Sequence, residues 1–145
     1  MIPFNSMTKK LLLGLFFSTL IFSFTSCAKK VSFQTSSVVP AARGHVKVKK
    51  DANKNYQIQI RINDLAEVDR LQNANKAYVV WMETDDLIIK NIGQIKSDSG
   101  FLSSKLKASF ETVTSFKPEK IFITAEENAD VQYPNNQVVL TTKDF

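Results

Sequence analysis

The sequence predicts an all-β chain: an antiparallel, immunoglobulin-like β-sandwich of about seven strands, preceded by an export signal and a flexible stalk. Three observations predict it. From Gly44 onward apolar residues recur with a period of two, the spacing of strands with one dry and one wet face. Turn-forming clusters of Asn, Asp, Ser, Gly and Pro break these runs every ~8–15 residues. No long helical segment is present that could carry crossovers between parallel strands. The length of 145 residues is that of one ordinary domain. With 43% hydrophobic and 23% charged residues, the composition is globular rather than disordered. One cysteine excludes a disulfide framework, and one histidine excludes sites that need two.

The N-terminus reads as an address. Met7-Thr8-Lys9-Lys10 leads into an apolar run from Leu11 to Phe22, as in the charged and apolar parts of a secretory signal. Residues 1–6 add nothing to that pattern, which makes Met7 an alternative start. The run is about 12 to 14 residues, short of the ~20 that a spanning helix needs. Export and cleavage are therefore expected. The run closes on Phe24-Thr25-Ser26-Cys27. These residues resemble a bacterial lipoprotein signal, with Thr25 and Ser26 in the small positions ahead of the cysteine. The resemblance implies a signal peptide over residues 1–26, cleavage before Cys27, and diacylglycerol on its thiol. It also implies fatty acylation, by palmitate or its like, of the new amine. The domain would then lie outside the cytoplasm in the bacterial cell envelope, held to a membrane. The alternative is a buried free thiol with cleavage nearby. Several acyl chains, at about 0.8 kcal/mol per buried CH₂, make a stable anchor where one chain is marginal.

Residues 27–43 read as the lipidated cysteine and a flexible stalk, because AKKVSFQTSSVVPAAR lacks sustained periodicity. Lys29, Lys30, Arg43, Lys47, Lys49, Lys50 and Lys54 stand against one acid, Asp51, in this region. From Tyr56 onward acids outnumber bases, thirteen to ten. Two readings of the basic stretch stand: a collar drawn to anionic lipid head groups, and a solvated segment. Nucleic acid is not an expected partner, since interleaved aromatics for base stacking are missing.

The folded domain is expected over residues 44–145. His45 to Lys49 and Tyr56 to Ile62 alternate around the turn Asp51–Asn55, which makes a hairpin with one buried face. Leu65, Val68 and Leu71 suggest a helical turn. Ala77 to Met82 is apolar on both faces, as in a central strand covered on both sides. Leu87 to Ile95 is a further strand with Gly93 marking a bulge. Ser97 to Gly100 reads as a turn, followed by an extended segment through Leu102, Ser104, Leu106, Ala108 and Phe110. Lys117-Pro118-Glu119 is another turn. Both alternations in Ile121 to Glu126 are compatible with an inward face. Tyr133 to Asn136 turns the chain into a last strand, Gln137 to Thr142.

The order Tyr78-Val79-Val80-Trp81-Met82, Gly93, Gly100, Phe122 to Glu126, Pro134 and Val138-Val139-Leu140 resembles the C-terminal extracytoplasmic domain of RskA-type anti-sigma factors. Tyr78, Trp81, Gly93, Glu126 and Pro134 carry the resemblance. It implies a β-sandwich outside the cytoplasm. The family's cytoplasmic zinc-binding domain, which binds the sigma factor, has no counterpart here, so inhibition of a sigma factor is not expected.

Chemistry is sparse. His45 has no second histidine beside it, and Gly-x-Ser-x-Gly is absent. Asp51-x-Asn53-x-Asn55 opens like a calcium loop, but Tyr56 and Ile62 fill the glycine and glutamate positions. Glu83, Asp85 and Asp86 follow one strand and Glu126, Glu127 and Asp130 another; side by side, the two loops could form one acidic end. Trp81 is expected in the core. The alternative is a carbohydrate platform of Trp81, Tyr78, Tyr56 or Tyr133. The expectation is a non-catalytic envelope lipoprotein, without cofactor or metal, whose sandwich binds or spaces an envelope protein or glycan. A small glycan- or ligand-binding module is the alternative.

Overall fold

The structure, a computed structural model, describes residues 28–71, 76–95, 97–98, 106–134 and 137–145. The signal-peptide expectation, with Thr25, Ser26 and Cys27, lies outside the described residues. So do Gly100, Leu102 and Ser104.

The fold is all-β, as expected. Nine strands are described: β1 (Lys29–Ser32), β2 (Arg43–Lys50), β3 (Tyr56–Asn63), β4 (Ala77–Thr84), β5 (Ile89–Ile95), β6 (Ser97–Asp98), β7 (Lys107–Thr114), β8 (Pro118–Glu126) and β9 (Val138–Thr141). They form two antiparallel sheets, ordered β1-β2-β3-β7-β6 and β5-β4-β8-β9. The two strands beyond the expected number are the shortest ones on the chain's polar stretches, β1 and β6.

The β2–β3 hairpin follows its sequence pattern. The register runs from Arg43↔Asn63 to Lys50↔Tyr56. The Asn55 amide donates to Asp51 Oδ1 at 2.8 Å, and Lys54 takes a left-handed φ of 66° to complete the turn. The acid of the calcium-like motif is thus a turn acceptor. Val46, Val48, Ile58, Ile60 and Ile62 are buried on one face, while Lys47, Lys49 and Arg61 are exposed on the other. The expected helical turn is a 3₁₀ turn at Val68–Arg70, and Leu65 ahead of it is fully buried.

β4 is covered on both faces. Tyr78, Val80 and Met82 join Ile121, Ile123 and Ala125 of β8 in the core between the sheets. Val79 and Trp81 point the other way and pack with Phe122 in a separate cluster. Neither alternation in β8 is the wet one, because every residue from Ile121 to Glu126 is buried.

At each rim the chain links the two sheets. The β4–β5 register jumps from Val80↔Gly93 to Trp81↔Asn91, so Ile92 is the extra residue of a bulge. Gly93 has φ 135°, and a Cβ there would sit 2.8 Å from Phe110 Cε2 of β7. Glycine is needed for the backbone angle and for this close approach. Ser97 and Asp98, expected as a turn, instead form β6, which pairs with Ala108 and Lys107 of β7. The chain thus steps from one sheet to the other along this rim. At the opposite rim Phe33 bridges to Thr142, and the Gln34 amide donates to Thr141 O at 2.8 Å.

Two further expectations are corrected. The stretch expected as a stalk is, from Lys29, part of the sandwich. β1 pairs with β2 from Lys29↔Val48 to Ser32↔His45, and Val39 and Ala42 are buried in the core. Ser36 Oγ accepts the amides of Val38 and Val39, which fixes the loop between them. The segment's polarity reflects an edge strand and a surface loop, which need few apolar residues to dock. The second correction is Pro118. It opens β8 rather than sitting in the turn, a position where its missing N–H costs least.

Candidate functional site

The outer faces of the two sheets differ in chemistry. On the second sheet the segment after β8 folds back over the face. Asn91 Nδ2 holds it by donating to Ala129 O and Val131 O, both at 2.9 Å, and Val131 packs on the Trp81 cluster. Trp81 is fully buried and stacks with Phe122 at 6.3 Å between centroids. Its Nε1–H donates to Thr124 Oγ1 at 2.8 Å, and the Thr124 hydroxyl donates to Glu126 Oε1 at 2.6 Å. Glu126 is itself buried. Buried polar groups need such partners, and this chain of bonds supplies them. Pro134 ends the covering segment, half-buried.

This geometry decides against a carbohydrate platform of these four aromatic residues. Trp81 and Tyr78 are both inside. The Tyr78 hydroxyl donates to Ala66 O at 2.8 Å, and burial, with Asp69 nearby, pushes its pKa up to about 12. Tyr56 is half-buried beneath the Lys50 ammonium, 5.3 Å from its ring. Tyr133 alone of the four is well exposed. The expectation for Trp81 holds as to burial. Its place is a second small core on the sheet's outer side, not the space between the sheets.

The two acidic loops do not meet. β4 and β8 are neighbours, but antiparallel: Ala77 pairs with Glu126 and Thr84 with Pro118. Glu83, Asp85 and Asp86 therefore lie at one end of the sheet and Glu126, Glu127 and Asp130 at the other. Asp85 is engaged by Lys117 at 3.6 Å. No group of three His, Cys, Asp or Glu placed to hold a metal occurs among the described residues.

The outer face of the first sheet is the site the fold assembles. The register lays its outward side chains in rows across the strands. One row is Arg43, Asn63 and Lys107; the next is Ser32, His45, Arg61 and Ser109; the next is Lys30, Lys47, Gln59 and Glu111; the last is Lys49, Gln57 and Val113. Six cations lie in these rows with two acids: Glu111, which accepts a hydrogen bond from Gln57 Nε2, and Asp98 of β6, in register with Lys107. His45 registers the resulting field. Partial burial first, then the charges of Lys30 and Arg61, lower its pKa from the usual value. It sits between Ser32 and Arg61 on this basic surface. A polar sheet face with such charge can bind an anionic surface.

Counting charges along the chain found Lys30, Arg43, Lys47 and Lys49 but missed Arg61 and Lys107. The signal was available in the alternation. Arg61 and Lys107 fall on the polar positions of Tyr56 to Ile62 and of Leu106 to Phe110, and only the pairing of β3 with β2 and β7 brings them beside the others.

No family model, no curated protein and no solved structure matches the chain. No helix among the described residues is long and apolar enough to cross a membrane.

Proposed function

We propose that the protein is a non-catalytic lipoprotein of the bacterial cell envelope, anchored through Cys27, whose β-sandwich binds or spaces another envelope component. The observation that carries this reading is the sequence Thr25-Ser26-Cys27 at the end of a short apolar run behind two lysines. The fold gives it a consequence. β1 starts at Lys29, so acyl chains on Cys27 would hold a folded module at the membrane with no slack between them. The likeness to the extracytoplasmic domain of RskA-type anti-sigma factors supports the same side of the membrane through Tyr78, Trp81, Gly93, Glu126 and Pro134. In the structure these residues are fold determinants: buried side chains, a bulge glycine and the end of a covering segment. Sigma-factor inhibition forms no part of the proposal.

Labelling cells with radioactive palmitate tests the anchor. Label is expected on the native chain and absent from Cys27→Ser, which should accumulate as uncleaved or mislocalised precursor. An unlabelled native chain with a mature N-terminus elsewhere would sink the reading. Crosslinking in intact cells, followed by identification of what is attached in the membrane fraction, would name the component bound.

A further inference from the structure

We propose that the outer face of the first sheet docks on the anionic head groups of a lipid bilayer. This deepens the anchoring reading and rests on it for the choice of partner, since β1, an edge strand of this face, begins two residues after Cys27.

The charge on this face is organised by the fold, and six cations against Glu111 and Asp98 leave it positive. The ion pairs among the described residues are Glu67–Arg70, Asp85–Lys117, Glu119–Lys117 and Asp144–Lys120. None of them involves Lys30, Arg43, Lys47, Lys49, Arg61 or Lys107. Lys30 and Lys47 stand directly opposite each other across β1 and β2, an arrangement that costs stability in an isolated sheet. An anionic surface facing the sheet would offset that cost.

Shape favours a bilayer over an anionic polymer. Neighbouring strands are ~4.8 Å apart, so four hydrogen-bonded strands spread their cations across the width of the sheet rather than along a single line. Tyr and Trp side chains are absent from the described part of this face, so it lacks stacking platforms for sugars or bases. The attachment point matters too. An acyl anchor entering at the edge of the face brings the head groups against it as soon as the chains insert. The basic stretch then acts as a rigid collar, in place of a flexible one.

The test uses the full chain purified from membranes and reconstituted into two kinds of vesicle: phosphatidylcholine alone, and phosphatidylcholine with phosphatidylglycerol. Lysines are modified with an amine-reactive reagent and quantified by mass spectrometry. Lys30, Lys47 and Lys49 should react several-fold more slowly on the anionic vesicles, while Lys76 and Lys143, exposed elsewhere, should not change. Protection should vanish in ~1 M salt, where charges are screened beyond about 3 Å. Lys47→Ser and Arg61→Ser should each lower the docked-to-undocked ratio about five-fold, with an unaltered circular dichroism spectrum. Equal reactivity on both vesicles would overturn the proposal. Protection by an added anionic polysaccharide but by neither vesicle would overturn it in favour of a glycan partner. The palmitate result separates the two readings: label on Cys27 without protection leaves the anchor and removes the docking face. Protection without label leaves the docking face and removes the anchor.

Discussion

β3 and β4 are both eight residues long, and each runs inside its sheet between two hydrogen-bonded neighbours. They are built differently. β3 reads Tyr-Gln-Ile-Gln-Ile-Arg-Ile-Asn, with three isoleucines inward and amide or guanidinium groups outward. β4 reads Ala-Tyr-Val-Val-Trp-Met-Glu-Thr and is buried along nearly its whole length. The first sheet therefore has one dry face and spends its other on charge. The second is dry on both sides along β4 and β8, where the segment after β8 roofs the outer one, while most of β5 stays half-buried or exposed.

That contrast can be broken by experiment. The largest effect is expected from beginning the chain at Gly44. This removes β1, the bridge from Phe33 to Thr142 and the buried Val39, whose side chain alone contributes about 1.5–3 kcal/mol. It also leaves β2 as an open edge prone to pairing between molecules. The urea midpoint should fall further than for any single substitution, with aggregation in light scattering. A midpoint equal to that of the full chain would restore the stalk reading.

Next comes Trp81→Ala, which empties the roofed side and should cost about 3–5 kcal/mol in urea unfolding. An unchanged midpoint would mean the roof is not packed on Trp81 and would erase the difference between the sheets. Thr124→Val keeps the shape but breaks the bonds from Trp81 Nε1 and to Glu126. It should cost about 1–3 kcal/mol, the penalty for leaving buried polar groups unpaired.

Substitutions on the unroofed face should act weakly and sometimes favourably. Lys30→Glu, opposite Lys47, should stabilise the isolated protein by roughly 0.2–1 kcal/mol by replacing a like-charge pair with an opposite one. The same change should weaken its attraction to anionic vesicles, so stability and docking move in opposite directions. A loss of stability would show that the cations are not in conflict. The smallest effect belongs to His45. Its folded pKa lies below the unfolded 6.5, so the unfolded chain binds more protons in the window between them. Stability should decline as pH falls through 6.5 towards the folded pKa, and His45→Gln should reduce that slope. A slope of opposite sign would place an acid, not cations, beside the ring.

Much of the fold was legible because the hairpin, the two-sided strand and the bulge are local statements. Asp51–Asn55 contains its own turn acceptor, and Gly93 marks a backbone angle that other residues rarely adopt. The stalk was misread because an edge strand needs little hydrophobicity: Lys29 to Ser32 contributes one half-buried valine and borrows the rest of its stability from β2. The pairing of the acidic loops failed for a different reason. Sequence indicates that two strands are neighbours more readily than it indicates their direction, and direction decides which ends meet.

By itself the sequence determined the class of fold, the strands with one or two dry faces, and the position of a lone cysteine behind a short apolar run. These follow from period, composition and length, which are properties of short segments. Only the tertiary structure decided that Trp81 lies under a roof instead of between the sheets, and that residues from Lys29 onward are framework. It alone gathered Lys30, Lys47, Arg61 and Lys107 onto one face. The reason is register: hydrogen bonding between strands distant in the chain fixes which alternate residues become neighbours, and the charge of a surface is a sum over those neighbours.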